Sequence, residues 1–271
     1  MKLLHGSEVV DFIKERQAKQ VRNLRQSWHV VPRLAIVQTI DNPVIDTYVR
    51  LKRQYAEDIL VECEHHRVAQ HDLIRTIDEL NQRDDVHGII VQLPLADPAH
   101  TEEALKRIDP QKDVDGLGEN STFDPATPVA IGWLLASYGV ELAMGRKIAI
   151  IGSGRLVGAP LAKIWQECGY DVTVFDSKSN DIEERLRSYD IIVTATGTPG
   201  LVTSDMIKIG AVVVDAGTAS EEGVIVGDVA PDVRERDDLT MTPVRGGVGP
   251  LTVAALIDNV ITAARRVANN D

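Results

Sequence analysis

Short runs of aliphatic residues, each about the length of a buried strand, alternate along this chain with segments whose apolar residues recur every three or four positions. We interpret the runs as strands at 34–37, 59–61, 88–91, 148–151, 172–175, 191–194 and 212–215. The clearest helical segments are 47–56, 73–80 and 250–268. Strands joined through helices pair in parallel, and because only 4% of the residues are aromatic, aliphatic side chains must fill the core. The pattern predicts an α/β fold built on parallel sheet.

The chain carries a strong excess of negative charge. Its 271 residues include 41 Asp and Glu against 29 Lys and Arg, which gives a net charge of -12 at pH 7. This balance argues against a dedicated nucleic-acid binder. No apolar run reaches transmembrane length and no secretory signal follows Met1, so we expect a cytoplasmic protein without a membrane partner.

Cysteine and histidine give no sign of a metal site. Cys63 and Cys168 are far apart and lack CxxC spacing, which also argues against a disulfide framework. His65, His66 and His71 lack an HExxH frame and acidic partners at ligand spacing, so we interpret them as surface residues. We expect no bound metal.

A glycine-rich segment carries the strongest local signal of ligand binding. Gly152, Ser153 and Gly154 come directly after the strand at 148–151, and Gly158 precedes a helix. In this context glycines let the backbone approach a pyrophosphate, whose charge the helix N-terminus stabilises. Because the spacing is GxGxxxG rather than GxGxxG, a purely structural glycine-rich turn is the alternative.

Asp176 follows the next strand and bears on the choice of cofactor. An acidic side chain there accepts hydrogen bonds from the ribose hydroxyls of NAD and repels a 2′-phosphate, which favours NAD over NADP. Arg155, Ser177 and Lys178 are close enough in sequence to bind a phosphate instead, and an Asp also commonly caps a turn.

Four polar side chains in the first half of the chain are candidates for a second site. Tyr48 and Lys52 are four residues apart on a predicted helix and therefore share one face. Gln92 follows the strand at 88–91, at the end where parallel sheets bind ligands, and Asp115 lies in a Lys-Asp-Val-Asp-Gly segment. Each has a plain alternative: a solvated lysine beside a half-buried tyrosine, an amide that caps a strand end, and a polar turn.

Taken together, these segments resemble the methylenetetrahydrofolate dehydrogenase/methenyltetrahydrofolate cyclohydrolase family. The matching segments cover most of the chain in the family's order and spacing; they are Tyr48-Val49-Arg50-Leu51-Lys52, Ile90-Val91-Gln92-Leu93-Pro94-Leu95, Lys112-Asp113-Val114-Asp115-Gly116, Thr127-Pro128, Gly152 through Pro160, and Thr242 through Thr252. Each segment is moderately specific, and the set is highly specific.

The resemblance implies two α/β domains with a cleft between them. Residues 1–124 and 251–271 would form a folate-binding catalytic domain, and residues 125–250 a Rossmann-type NAD(P)-binding domain. The implied activity is oxidation of 5,10-methylenetetrahydrofolate to 5,10-methenyltetrahydrofolate with NADP, the family's usual cofactor, or NAD. Hydrolysis to 10-formyltetrahydrofolate follows, in one-carbon metabolism and purine biosynthesis. A homodimer is implied in the same way.

The family's residue roles carry over onto the four candidates of the first half. The resemblance makes Lys52 the central catalytic group, which Gln92 positions, while Tyr48 stacks on the folate and Asp115 binds the pterin. These roles are chemically reasonable: one carboxylate can accept the pterin's adjacent amino and ring N–H donors, and a desolvated lysine can move a proton during hydrolysis.

Further implied contacts lie in the second half of the chain. Gly247 and Pro250 are implied to contact the substrate. The implied cofactor positions are Gly152, Ser153, Gly154, Ser177 and Thr218, which Asp176 joins on the argument given above.

Some positions depart from the family's pattern. Ile45 and Gln54 replace a serine and a lysine near the catalytic lysine, and Arg245 replaces the second proline of a Thr-Pro-Val-Pro-Gly-Gly segment. Ser153 and Asp176 stand where arginine and histidine are frequent, which sets the family's NADP preference against the NAD interpretation.

Three alternatives stay open. The chain could have dehydrogenase activity only, be a shikimate-type dehydrogenase of the same two-domain shape, or be a non-catalytic folate or nucleotide sensor. The departures from the family's pattern favour the sensor, whereas the retained set of Lys52, Gln92 and Asp115 favours catalysis.

Overall fold

Two separate parallel sheets organise the chain, one in each of two units. The computed structural model describes residues 1–142, 145–217, 219–221 and 224–269. Unit 1 comprises Met1–Val10 and Thr127–Thr252, and unit 2 comprises Asp11–Ala126 and Val253–Asp271. Strands and helices alternate in both units, so the predicted α/β class with two domains is confirmed.

Unit 2 contains a three-stranded parallel sheet flanked by helices. Its strands are β2 (Arg33–Gln38), β3 (Glu62–Arg67) and β4 (Gly88–Val91), in the order β3-β2-β4. Its helices are α1 (Gly6–Ser27, which begins in unit 1), α2 (Pro43–Asp58), α3 (Leu73–Asn81), α4 (Thr101–Arg107) and α8 (Val248–Ala268, which also begins in unit 1). Alternate residues of β2 and β4 pack with α3 and α4 in one core; they include Ala35, Val37, Ile89, Val91, Leu73, Ile77 and Leu105.

Unit 1 contains a six-stranded parallel sheet in the order β1-β11-β8-β7-β5-β6. The strands are β1 (Lys2–Leu3), β5 (Lys147–Ile151), β6 (Asp171–Phe175), β7 (Ile191–Thr194), β8 (Val212–Asp215) and β11 (Thr240–Met241). Unit 1 also contains α5 (Ala126–Ser137, which begins in unit 2), α6 (Gly158–Glu167), α7 (Ile182–Leu186) and the antiparallel pair β9 (Ala219–Glu221) and β10 (Val224–Val226). The chain leaves β5 for β6 on one side and returns to β7 on the other, which makes the carboxyl ends of β5 and β7 a topological switch point.

One predicted strand is wrong. The apolar residues at 59–61 form the turn after α2, in which Ile59 and Val61 are buried. The strand is instead the polar segment β3, whose residues are exposed or half-buried and give no aliphatic signal. Of the three histidines interpreted as surface residues, His71 is exposed, and His65 and His66 are half-buried within β3.

The first ten residues belong to unit 1, which differs from the predicted domain of residues 1–124 and 251–271. Strand β1 pairs in parallel with β11, and Ser7 N donates to Gly246 O at 3.1 Å. A strand of two residues is too short to produce a recognisable hydrophobic period.

Candidate functional site

Helix α2 in unit 2 presents Tyr48 and Lys52 on one face. Asn42 caps the helix, since its side-chain oxygen accepts a hydrogen bond from Val44 N at 2.8 Å. Val49 is buried beside this face, and Tyr48 and Lys52 are half-buried one turn apart. The shared face that four-residue spacing predicts is therefore present.

Gln92 is held beside this lysine at the end of β4. Its backbone N donates to Val37 O at 2.8 Å and so continues the parallel ladder for one more residue. Lys52 Nζ donates to Gln92 Oε1 at 2.9 Å, and Gln92 Nε2 donates to Leu93 O at 3.2 Å. The amide thus turns its oxygen towards the lysine.

The segment that carries Asp115 runs alongside β4. Ile89 N donates to Lys112 O at 2.7 Å, which docks the segment against the strand. Lys112 Nζ donates to Asn81 O and Arg83 O at 2.8 and 2.7 Å, so it caps the carboxyl end of α3. Lys112 has a structural role, and it fixes the backbone that leads to Asp115.

Burial and mutual charge tune the ionisable groups of this site. Burial lowers the pKa of Lys52, and the negative charge of Asp115 opposes that shift. Burial raises the pKa of Asp115, and the positive charge of Lys52 opposes it in turn. Sequence reasoning missed Cys63 of β3, which faces the same lysine and whose pKa burial raises to about 11. An isolated half-buried thiol on a polar strand carries no sequence signal that could have found it.

The glycine-rich loop of unit 1 follows β5 as predicted. Gly152 has φ +103°, and its N donates to Phe175 O at 2.7 Å. A Cβ on Gly158 would collide with the carbonyl oxygen of Gly152, which explains the third glycine of the motif. Ser153 and Gly154 are exposed, and no side chain caps the N-terminus of α6. At the start of α6, Ala159 N donates to Gly154 O at 3.1 Å and Pro160 has no N–H. The exposed backbone of Ser153 and Gly154 and the helix dipole suit an anionic group.

Asp176 caps a turn at the end of β6. Its carboxylate accepts hydrogen bonds from Lys178 N at 2.9 Å and from Ser179 Oγ at 3.1 Å. The bond from Lys178 N is the largest of several effects that hold the pKa of Asp176 below its usual value. The side chain is exposed and ionised at neutral pH, as is required of a group that repels a phosphate. Ser177 is exposed beside it.

The remaining predicted positions lie elsewhere in unit 1. Gly247 is buried, and its carbonyl oxygen lies so close to Gly6 that a Cβ on Gly6 would not fit. Pro250 stands in the first turn of α8. Thr218 lies outside the described residues.

Two buried aspartates at the same sheet edge were missed by sequence reasoning. Asp215 ends β8, and Asp228 accepts hydrogen bonds from the loop after β7. The signal that could have found Asp215 is its place at the end of an aliphatic strand.

The described ranges show neither a membrane helix nor a metal cluster. Within them no helix is long and apolar enough to cross a membrane. No group of three or more His, Cys, Asp or Glu residues there could hold a metal ion.

Family models match both parts of the chain. Residues 4–115 match the tetrahydrofolate dehydrogenase/cyclohydrolase catalytic domain, and residues 125–268 match the NAD(P)-binding domain of the same family. The matches cover the regions that contain Lys52, Gln92 and the glycine-rich loop.

Similar proteins and solved structures belong to the same family as the matched models. The bifunctional protein FolD of Lactobacillus acidophilus is 36% identical, over 98% of each chain. The crystal structure of the bifunctional FolD dehydrogenase/cyclohydrolase from Campylobacter jejuni has a TM-score of 0.92 and 35% identity, over 98% of this chain and 99% of that one. The Trypanosoma brucei FolD structure, complexed with NADP cofactor and inhibitor, has a TM-score of 0.89 and 34% identity, over 97% of each chain. This chain therefore belongs to the tetrahydrofolate dehydrogenase/cyclohydrolase family.

Proposed function

We propose that this chain is a bifunctional enzyme that oxidises 5,10-methylenetetrahydrofolate with NAD(P) and hydrolyses the product to 10-formyltetrahydrofolate. The observation that carries the proposal is the 2.9 Å bond from Lys52 Nζ to Gln92 Oε1, in a unit matched by the family's catalytic domain. Unit 2 binds the folate, and unit 1 binds the dinucleotide.

Lys52 moves the proton in the hydrolytic step. The methenyl carbon is already electrophilic, so water attack requires orientation and proton transfer rather than a strong nucleophile. Because burial lowers the pKa of Lys52, its Nζ releases a proton more readily than an exposed lysine does. Gln92 directs Nζ by accepting one of its hydrogens, which leaves the others for the substrate.

Asp115 and Tyr48 hold the folate. The pterin's adjacent amino and ring N–H groups donate to the carboxylate of Asp115, which restores hydrogen bonds that burial removes. The half-buried ring of Tyr48, one turn before Lys52, offers an aromatic surface for stacking.

The glycine-rich loop receives the pyrophosphate of the dinucleotide. A bound nicotinamide accepts the hydride from the folate. The exposed backbone at Ser153 and Gly154 and the helix dipole at the start of α6 fit this group, because both favour an anion.

We further propose that the chain uses NAD in preference to NADP. The turn keeps Asp176 ionised beside the exposed Ser177. A carboxylate fixed at the end of β6 accepts hydrogen bonds from the ribose hydroxyls of NAD and repels the 2′-phosphate of NADP. The competing hypothesis is a preference for NADP, because the relative from Trypanosoma brucei is complexed with NADP.

Steady-state assays with methylenetetrahydrofolate and NAD or NADP in parallel test these proposals. We expect reduction of both dinucleotides, with a higher kcat/KM for NAD, and hydrolysis of added methenyltetrahydrofolate. Reduction without hydrolysis would indicate a dehydrogenase-only member. Shikimate-dependent reduction alone would indicate the shikimate-type alternative, and binding without turnover would indicate a sensor.

The homodimer is a further proposal by family membership. Light scattering of the purified chain is expected to give twice the mass of 29.7 kDa. A monomeric mass would contradict it.

A further inference from the structure

A buried acidic cluster lies at the carboxyl ends of β7 and β8 in unit 1, and no step described above uses it. Thr194 is the last residue of β7, and Asp215 is the last residue of β8. Thr194 and Asp228 are 0% exposed, and the side chain of Asp215 is 4% exposed. Carboxylates so deeply buried need several donors to be stable.

Asp215 joins three segments at this edge. Its Oδ1 accepts hydrogen bonds from Thr194 Oγ1 at 3.1 Å and from Asp228 N at 3.0 Å. Its Oδ2 accepts from Arg234 Nη2 at 3.0 Å and from Val229 N at 3.3 Å. The backbone at 228–229 is therefore fixed to the ends of two core strands.

Asp228 uses this anchorage to hold the loop that follows β7. Its Oδ2 accepts from Thr196 N at 2.7 Å, and its Oδ1 accepts from Thr198 N at 3.0 Å. Thr198 N also donates to Thr196 Oγ1 at 3.0 Å. A Cβ on Gly217 would collide with the Asp228 carboxylate, so the backbone packs tightly around it.

The loop held by Asp228 lies directly against the glycine-rich loop. Ala195 N donates to Ile151 O at 2.8 Å. A Cβ on Gly152 would lie only 2.6 Å from Ala195 O. Because β5 and β7 flank the switch point, a dinucleotide that binds there contacts the loops after both strands.

We propose that Asp228 is a positioning residue for the dinucleotide: it holds residues 195–198 against the glycine-rich loop, so that both walls of the cofactor crevice are preformed. The inference rests on the proposed dinucleotide binding. A preformed loop spares the ligand the entropic cost of ordering it, so the loss of Asp228 weakens binding.

Asp228→Asn is the direct test. The new amide nitrogen faces one of the two backbone N–H donors, so one charge-assisted bond is lost and replaced by an unfavourable contact. We expect the Kd for NADH and NADPH, measured by fluorescence titration, to rise about tenfold or more. Hydrolysis of methenyltetrahydrofolate needs no dinucleotide, and we expect its kcat/KM to stay within about twofold of the unsubstituted chain.

Asp190→Asn is the matched control. Asp190 also accepts a backbone hydrogen bond, from Lys147 N at 2.8 Å, but at the opposite end of the same sheet. It is expected to lower the Tm without changing the dinucleotide Kd. An equal rise in Kd for both variants would overturn the proposal, because it would show only general destabilisation.

Thr196→Val provides a milder perturbation of the same loop if Asp228→Asn does not fold. It removes the hydroxyl that accepts a hydrogen bond from Thr198 N, and we expect the dinucleotide Kd to rise about threefold. Thr196→Ser keeps the hydroxyl and should leave this Kd unchanged. If the unsubstituted chain binds the dinucleotide and the Kd is unchanged in Asp228→Asn and Thr196→Val, the positioning role of Asp228 is overturned and the proposed function is not. Absence of dinucleotide binding by the unsubstituted chain would overturn the proposed function as well.

Discussion

At the scale of single residues, the surroundings of Lys52 determine its chemistry. Its ammonium group donates to one amide oxygen, is largely withdrawn from water and is partly compensated by a single carboxylate, Asp115. Lys106, elsewhere in unit 2, also pairs with a carboxylate, that of Glu119 at 3.1 Å, but its side chain is 57% exposed. The two lysines therefore allow a matched comparison.

Lys52→Met tests the proton-transfer role. We expect the rate of methenyltetrahydrofolate hydrolysis to fall by about 10² to 10⁴, because a positioned proton donor and acceptor is lost. Folate binding, measured by isothermal titration, should persist through Asp115 and Tyr48. Lys106→Met serves as the control, and hydrolysis at an undiminished rate in Lys52→Met would contradict the mechanism.

Asp176→Ser tests the choice of cofactor. Removal of the fixed negative charge at the end of β6 should raise the ratio of kcat/KM with NADP to kcat/KM with NAD by about tenfold, which corresponds to about 1.4 kcal/mol. Asp171→Ser removes a charge at the other, exposed end of the same strand and should leave the ratio unchanged. A ratio that does not respond to Asp176→Ser would mean that this carboxylate only caps its turn.

At the scale of elements, the end of α2 contains a residue poorly suited to its backbone. Leu60 has φ +65°, and the bonds from Leu60 N to Glu57 O at 3.1 Å and from Val61 N to Ala56 O at 2.9 Å form a Schellman motif. Glycine is preferred at this position because a Cβ is strained there. The Leu60 side chain is 52% exposed, so its removal costs little packing.

Leu60→Gly should therefore stabilise the protein. We expect the free energy of unfolding to rise by about 0.5–1 kcal/mol, after allowance for the greater freedom of glycine in the unfolded chain. Leu51→Gly, at an exposed position within the same helix, should lower it by about 1 kcal/mol. Urea denaturation measures both changes, and destabilisation by Leu60→Gly would refute the strain argument.

Elements with a clear hydrophobic period were predictable, and those without one were not. The strands β7 and β8 match their predicted bounds because every residue of β7 and the first three of β8 are buried aliphatic or small side chains. Strand β3 lacked any such signal because it lies at the edge of its sheet and carries charged and histidine side chains. Its pairing with β2 supplies the stability that its composition does not reveal.

At the scale of the whole molecule, a buried histidine links stability to pH. His87 is 6% exposed, and its Nδ1 accepts a hydrogen bond from Arg33 N at 3.3 Å. Burial, with smaller contributions from the charges of Lys112 and Arg33, lowers the pKa of His87 to about 4. In the unfolded chain this histidine binds a proton near its ordinary value, so acidification favours unfolding.

The stability of the protein should fall as the pH decreases from about 6.5 to about 4. The contribution of His87 over this range is up to about 3 kcal/mol, and it is absent above pH 7, where both states are neutral. His87→Asn keeps an acceptor for Arg33 N and cannot titrate, so it should flatten the dependence measured by urea unfolding. His71→Asn, at an exposed site, should not flatten it, and an equal slope in all three proteins would contradict the assignment.

The candidate sites were predictable to the extent that they lie at strand ends or on one helix face. The shared face of Tyr48 and Lys52 follows from helical spacing, and the position of Gln92 follows from the end of an aliphatic strand, whereas their roles were implied only by the family resemblance. The capping of α3 by Lys112 depends on a tertiary approach between segments about 30 residues apart, which no local pattern encodes. The hydrogen bonds by which Asp228 holds the loop after β7 depend on such an approach as well.

The interleaving of the two units has a consequence for synthesis on the ribosome. Strand β1 cannot pair until Thr240–Met241 has been made, and Gly88 in unit 2 packs against Val260 of α8. Translation proceeds at about 5–20 residues per second, so unit 2 waits for several seconds with part of its core exposed. Neither unit can finish folding as a nascent chain before most of the other has emerged. We therefore expect the nascent protein to need chaperone protection. A circular permutant that begins at Val248, the first residue of α8, makes both segments of unit 2 before most of unit 1 and should shorten that interval.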